Sequence, residues 1–226
     1  MNPSHPNLSV MLLAAGHGKR MLPLTENRPK PLLKVAGKSL LDHHLTQLND
    51  AGFKHVVINV AYLGHQIIEH VKRHSYANLD IHISDEQDTG ALETAGGIAK
   101  AISVLHSDPF LVINSDVWHN VDLVAFCARA ESALNKADAY LGLVKNPPHN
   151  DSGDFVLHNT GEVQTIESGG QTHALTFSGL GVYKKSLFSE LDAGAHKLAP
   201  LLVQCMARNA VYGEELDAQW FDIGRP

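Results

Sequence analysis

The sequence predicts an α/β fold in three layers, a mixed and mainly parallel sheet covered by helices on both faces, with a small β-rich insertion in the second half. Three observations predict it. Short apolar runs alternate with stretches of helical periodicity up to about residue 136, the rhythm of βαβ units. Small residues and glycines take over where the first apolar run ends, as where a buried strand enters a loop. Beyond about residue 137 the rhythm changes to strand-like runs joined by polar turns. A length of 226 residues suits one substantial core, so a single domain over residues 1–226 is expected, with one part over about 9–136 and another over about 137–226.

Residues 9–13 read as a buried strand, closed by Ala14, Ala15 and Gly16, with Gly18 two positions on. Leu41, Leu45 and Leu48 recur at helical spacing, and the segment stops at Ala51 and Gly52, a glycine suited to the left-handed cap. Residues 55–60 form a second buried strand, Ile67, Ile68 and Val71 mark another helix, and residues 79–83 alternate as a strand does. Residues 97–105 read as helix before the apolar run 110–113. Asn114 and Asp116 therefore fall at the carboxyl end of a strand, where open α/β sheets gather their ligands. In the second part, residues 139–144, 154–158, 162–167 and 175–183 are strand candidates. A helix is expected over 198–208, with closing strands over 211–216 and 219–223. The β-rich segment is expected to cover one side of the pocket.

A hydrophobic content of 44% and a charged content of 19% are those of an ordinary globular chain. The net charge of -6, without a Lys/Arg-rich run, argues against a surface that neutralises nucleic-acid phosphates, so no nucleic-acid partner is expected. Cys127 and Cys205 stand far apart with no CxxC pair and read as buried thiols. The N-terminus lacks a basic region followed by an apolar core, and no run approaches the roughly 20 apolar residues of a membrane span. A cytoplasmic monomer or homodimer is the expectation. Histidine is frequent, at 15 residues, and His70 and His74 would share a helical face. Without an HExxH motif or a cysteine partner, a structural role is expected for them rather than a transition-metal site.

The densest chemistry lies in Leu13-Ala14-Ala15-Gly16-His17-Gly18-Lys19-Arg20-Met21-Leu22-Pro23-Leu24-Thr25, followed by Arg28-Pro29-Lys30-Pro31-Leu32. Glycines let backbone amides approach phosphate oxygens, and cations stand beside them. A Walker loop would need Ser or Thr where Arg20 follows Gly18-Lys19, and a dinucleotide fingerprint would need a third glycine where Met21 stands. Alone, the Gly16 and Gly18 pair reads as an ordinary turn beside solvated cations. Asp116 follows one apolar run and Asp222, in Trp220-Phe221-Asp222-Ile223-Gly224, closes another. Magnesium is commonly held by one or two such carboxylates with phosphates and water, although either aspartate alone is also a common turn former.

Taken whole, these strings resemble the signature of the sugar-1-phosphate nucleotidyltransferase family, LAAGxGxRMxPLT followed by PKPL, and NxD and WxDxG patterns extend the resemblance from residue 10 to residue 224. The resemblance implies the Rossmann-like fold of nucleotide-diphospho-sugar transferases, with a nucleotide-binding core over about 9–136 and a sugar-binding part after it. It implies that Ala14, Ala15, Gly16, Gly18 and Lys19 wrap a nucleoside triphosphate, and that Arg20 and Lys30 are the catalytic cations. Asp116 and Asp222 would jointly bind Mg²⁺. Such transfers are catalysed chiefly by alignment and fixed positive charge, which suits this set. Leu92-Glu93-Thr94-Ala95-Gly96-Gly97-Ile98 resembles the family's second nucleotide loop, which implies nucleotide contacts at Thr94 and Gly96. The chain departs from the family pattern at Ser115, where NGD has glycine, and at Ala95, where an ETGGG-like string has its first glycine. Since Pro226 follows soon after Asp222, no C-terminal β-helical domain is expected.

Within the family the chain is most similar to uridylyltransferases that act on N-acetylmuramate α-1-phosphate in peptidoglycan recycling. The similarity lies in its compact length and in Asn114-Ser115-Asp116-Val117-Trp118, Gly153-Asp154-Phe155, Thr176-Phe177-Ser178-Gly179 and Lys197-Leu198-Ala199-Pro200-Leu201-Leu202. It implies UTP and that sugar phosphate as partners, with Asn114, Asp154 and Glu167 on the sugar and Lys197 on its phosphate or lactyl carboxylate. Asp154 and Lys197 read equally well as solvated surface charges. The alternatives are guanylyl transfer to mannose-1-phosphate, thymidylyl transfer to glucose-1-phosphate, and a catalytically idle nucleotide-sugar binder. Retention of Arg20, Lys30, Asp116 and Asp222 speaks against the last.

Overall fold

Strand β1 (Val10–Leu13) is apolar at every position because it is buried on both faces. The computed structural model describes residues 7–74, 76–169 and 174–224. After β1 come a small hairpin of β2 (Lys34–Val35) and β3 (Lys38–Ser39), then α1 (Leu40–Asp50), β4 (His55–Val60), α2 (Gly64–Arg73) and β5 (Asp80–Asp85). Next are α3 (Glu93–Ala101), β6 (Phe110–Asn114), β7 (Val117–His119) and α4 (Leu123–Ala133). The second half holds β8 (Ala139–Val144), β9 (Phe155–Leu157), β10 (Val163–Thr165), α5 (Ile166–Gly169), β11 (Ala174–Tyr183), α6 (Leu198–Met206), β12 (Val211–Glu215) and β13 (Trp220–Asp222).

One nine-stranded sheet organises the chain. Strands β5, β4, β1 and β6 are parallel neighbours in that order. Strand β11 runs antiparallel between β6 and β8, and β12 pairs parallel with β8. The sheet is thus mixed and mainly parallel, as expected. The start of β11 also pairs with β9, which carries β10. Alternation along the strands divides the core into two layers. Val10, Leu12, Val56, Ile58, Leu111 and Ile113 pack against Leu41 and Leu45 of α1, Ile67 of α2 and Phe126 of α4. Met11, Val57, Phe110 and Val112 pack on the other face against Ile98 of α3 and Leu198 and Leu202 of α6. Side-chain caps start two of these helices: Ser39 Oγ accepts from Asp42 N at 3.0 Å, and Asp122 Oδ1 accepts from Ala125 N at 3.0 Å. Both cysteines are free and buried, and burial pushes the Cys127 thiol up to about 12. None of the described helices is long and apolar enough to cross a membrane.

Three of the expected elements take a different form, and β2, β3, β7 and α4 were not expected. Helix α3 begins at Glu93 rather than 97, because Ala95 N and Gly96 N donate to the His196 carbonyl and pin the first turn. The stretch 162–167 is a strand only to Thr165 and then turns into the short α5. Strand β13 does not close the central sheet; it forms a separate antiparallel ribbon with β7.

That ribbon rests on two buried histidines. His44 of α1 donates from Nε2 to the Val117 carbonyl at 2.8 Å, and the His119 ring lies 5.5 Å from it with neither nitrogen paired among the described residues. Burial brings His44 down to about 4 and His119 down to about 3, from an ordinary value of 6.5. The unfolded chain therefore binds these protons more readily, so their contribution is present above about pH 6.5 and is lost as pH falls toward the folded values. Acid unfolding followed by circular dichroism is expected to begin in that window, and to begin at lower pH in His119→Leu. An identical acid profile in the variant would remove His119 from the account.

Candidate active site

Two cavities open at the carboxyl ends of β1 and β6, and they share a border. The first, about 440 Å³, is lined by the loop from Ala14 to Arg20, by Lys30, by Thr94 at the start of α3, and by Asn114 and Asp116. The second, about 380 Å³, is lined by Arg20, Asn114 and Asp116 again, together with Asp154 and Asp222. Arg20, Asn114 and Asp116 stand at the junction.

The loop after β1 is held by its buried members. Gly18 has φ 62°, and a Cβ there would meet Thr25 Cγ2 at 3.0 Å, so both backbone and space require glycine. Thr25, fully buried, donates from Oγ1 to the Gly18 carbonyl at 2.9 Å. Met21, where a dinucleotide loop would have its third glycine, is a 4% exposed core anchor, whereas Lys19 and Arg20 face solvent. The His17 ring packs on Tyr62 at 4.6 Å between centroids.

Beneath the loop runs a relay that sequence reasoning missed. Ala14 N donates to Asn59 Oδ1 at 2.8 Å, Asn59 Nδ2 donates to Glu86 Oε1 at 2.8 Å, and Leu92 N donates to Glu86 Oε2 at 2.9 Å. Glu86 is fully buried. Gly97 makes room for it, since a Cβ there would lie 2.8 Å from both Asn59 Nδ2 and Glu86 Oε1. The available signal was an asparagine near the end of a mostly apolar strand.

The β7 and β13 ribbon brings the two acids together. Asp222 pairs in register with Val117, and Ile223 N donates to the Asp116 carbonyl at 3.0 Å. Lys30 Nζ donates to Asp116 Oδ2 at 2.7 Å; the lysine side chain is 8% exposed and the aspartate 37%, so the cation is sunk behind a carboxylate that reaches the cavity. His149 Nε2 lies 3.0 Å from Asp222 Oδ2, a contact the sequence did not suggest. Gly224 leaves space for the Asp222 carboxylate, which a Cβ would meet at 2.4 Å. Two carboxylates on one cavity are hard oxygen donors of the kind that hold magnesium, so the residues fit that ion.

On the opposite wall, Asp154 accepts from Asn150 Nδ2 at 3.0 Å and from Phe177 N at 2.8 Å, which braces the 150 region on β11. Trp220 Nε1 donates to the Ser178 carbonyl at 2.9 Å. Gly179, with φ 81°, lets the Asn114 side chain sit where a Cβ would approach it to 2.8 Å. Ser115, buried, donates from Oγ to the Leu13 carbonyl at 2.5 Å and ties the ends of β1 and β6. Three expected residues border neither cavity. Gly96 lies inside α3, where its missing side chain admits the Gly194 carbonyl, which a Cβ would approach to 2.2 Å. Lys197 is exposed at the start of α6, and Glu167 is exposed in α5. Replacing Asn59 by Leu keeps the branched outline of the side chain but leaves the Ala14 amide and Glu86 Oε1 unpaired. Chemical denaturation should show a loss of about 1–3 kcal/mol, and unchanged stability would deny the relay its structural role.

Residues 9–226 match the nucleotidyl transferase family. The chain is 45% identical to the N-acetylmuramate alpha-1-phosphate uridylyltransferase of Neisseria meningitidis serogroup B, over 96% of this chain and 93% of that protein. It is 34% identical to the enzyme of the same name from Caulobacter vibrioides, over 96% of this chain and 92% of that protein. Among solved structures it shares its fold with HddC of Yersinia pseudotuberculosis complexed with GMP-PN, at TM-score 0.78 and 23% identity, covering 97% of this chain and 95% of that one. A putative glucose-1-phosphate thymidylyltransferase of Bacillus anthracis also gives TM-score 0.78, at 17% identity, covering 96% and 90%. With the glycine loop, its cations and the acid pair on one cleft, and with that match spanning nearly every residue, the chain belongs to the nucleotidyl transferase family.

Proposed function

We propose that the chain transfers UMP from UTP to N-acetylmuramate α-1-phosphate, giving UDP-N-acetylmuramate and pyrophosphate, a step of peptidoglycan recycling in the cytoplasm. The junction carries this reading: Arg20, Asn114 and Asp116 border both cavities, so two substrates lying one in each would meet at a cation and a carboxylate. The choice of uridylyl group and muramate rests on the relatives at 45% and 34% identity.

In this assignment the triphosphate lies along the amides of Ala14, Ala15, Gly16, Gly18 and Lys19, with Thr94 near the nucleoside. The sugar lies against Asn114 and Asp154. Residues of about 9–136 supply the nucleotide side and, through Asn114, part of the sugar side; about 137–226 supply the rest of the sugar side, with Asp222 returning beside Asp116. A phosphate oxygen of the sugar phosphate attacks the α-phosphorus in line, a new P–O bond forms, and the bond to pyrophosphate breaks. The attacking oxygen is already anionic at neutral pH, so no protein nucleophile is needed. Arg20 and Lys30 offset the charge that develops on the phosphates. Asp116 and Asp222 would hold Mg²⁺, which when bound supplies Lewis-acid stabilisation of that charge. Gly96, Glu167 and Lys197, bordering neither cavity, receive no substrate contact. All of these residues come from one chain, so a second copy is not required.

Pyrophosphate release with Mg²⁺ should be measured across UTP, dTTP, GTP and CTP, each crossed with the 1-phosphates of N-acetylmuramate, N-acetylglucosamine, glucose and mannose. Turnover is expected with UTP and the muramate substrate; a different winning pair overturns the specificity, and silence with every pair overturns the activity. Arg20→Ala, Asp116→Asn and Asp222→Asn should each lower kcat by about 10²–10³-fold while the circular dichroism spectrum is kept. Wild-type turnover in both aspartate variants would sink the metal assignment.

A further inference from the structure

The amino ends of β4 and β5, at the far end of the strands from the cleft, hold a cluster that the transfer reaction does not use. The parallel register sets His55 beside Asp80 and Val57 beside His82, so the two-residue alternation of a strand puts Asp80 and His82 on the face that His55 shares. His55 is 8% exposed. Its Nε2 donates to the Val104 carbonyl at 2.7 Å, which fixes the proton there and leaves a lone pair on Nδ1. That Nδ1 is buried and has no hydrogen-bond partner among the described residues, and it points toward Asp80 Oδ2 at 3.6 Å. His82 Nε2 reaches the same oxygen at 3.0 Å. A lone pair facing a carboxylate oxygen is repulsive unless a proton or a metal ion stands between them, and 3.6 Å is too long for a proton shared in a hydrogen bond.

We propose that His55, Asp80 and His82 bind one divalent transition-metal ion, with zinc the best match, which ties the edge strand β5 to β4. Their ligand atoms lie within 4.8 Å of one another. Ligands of a tetrahedral zinc ion at about 2.0–2.1 Å stand about 3.3 Å apart, a value that the 3.6 and 3.0 Å separations bracket. The Val104 carbonyl on the remote nitrogen is the outer-shell hydrogen bond that orients a ligating imidazole. His106 stacks on His55 at 3.7 Å and 16°, holding the ring in place. Two imidazoles and one carboxylate favour zinc over magnesium, which prefers oxygen throughout. In the helical trio Asp42, His70 and His74, His70 Nε2 donates to Asp42 Oδ1 at 2.7 Å and His74 Nδ1 to the His70 carbonyl at 2.8 Å, so among the described residues no buried nitrogen is left over there, whereas beside the His82–Asp80 hydrogen bond the buried His55 Nδ1 is.

The test is calorimetric titration of the untagged protein with Zn²⁺ alone, with Co²⁺ absorption as an optical check of nitrogen ligation. His82 and Asp80 have side chains 43% and 68% exposed, so His82→Ala and Asp80→Asn should fold. One equivalent of Zn²⁺ is expected in the wild type. The affinity should fall by more than about 100-fold in both variants, since even outer-shell losses cost about 10–100-fold. It should be kept in His70→Ala and Asp116→Asn, and Mg²⁺-dependent turnover should be unchanged in His82→Ala. Absence of Zn²⁺ binding, equal binding by His82→Ala or Asp80→Asn, or loss in His70→Ala or Asp116→Asn instead would overturn the proposal.

Discussion

The buried carboxylate of Glu86 is the constraint on which the cleft depends. Placing an acidic group out of reach of water costs several kcal/mol unless its oxygens are satisfied, and here one accepts from Asn59 and the other from the Leu92 amide. Asn59 in turn accepts from Ala14. Three loop regions, after β1, around the end of β4 and before α3, are thereby held at fixed separation by a single group. The width of the first cavity follows from that separation. Gly97 is part of the same device, because the helix can lie this close only where it has no side chain.

Rigidity below and exposed charge above is the pattern of the whole cleft. Met21 and Thr25 are sunk in the core while Lys19 and Arg20, between Gly18 and Met21, remain accessible. Each junction acid has a basic partner, Lys30 for Asp116 and His149 for Asp222. Charges that are already positioned need no reorganisation when an anionic group arrives, which is what electrostatic catalysis of group transfer requires. The opposite wall is built the same way, with Asp154 braced by Asn150 and the Phe177 amide.

What the sequence made legible was what repeats or is locally complete. Strands β4 and β8 fall on the expected residues because each is a mostly apolar run buried at every position. The loop from Ala14 to Arg20 was legible as a string, and the structure sets its length along one cavity. The meeting of Asp116 and Asp222 was not legible from periodicity, because β7 and β13 have three residues each, too few to show alternation. It came through resemblance alone. The Asn59 and Glu86 pairing spans 27 residues and exists only through the sheet, so neither residue announces it. Helix α4 is a different case: Leu123, Phe126, Cys127 and Ala130 have helical spacing behind an Asp122 cap, a readable signal absent from the expectations. Gly96 shows the converse ambiguity, since a glycine that admits a neighbouring carbonyl looks in sequence like one that admits a ligand.

The ribbon of β7 and β13 joins the middle of the chain to the last strand described. Protein synthesis runs from the amino end, and domains begin to organise as they emerge. A nascent chain can pair β1, β4, β5 and β6 while Trp220 and Asp222 are still inside the ribosome. The second cavity lacks that wall, and the carboxylate of Asp222, until β13 has emerged. The cleft is complete only once β13 has been made, so a product cut short before Trp220 keeps most of the sheet yet never acquires the finished cleft.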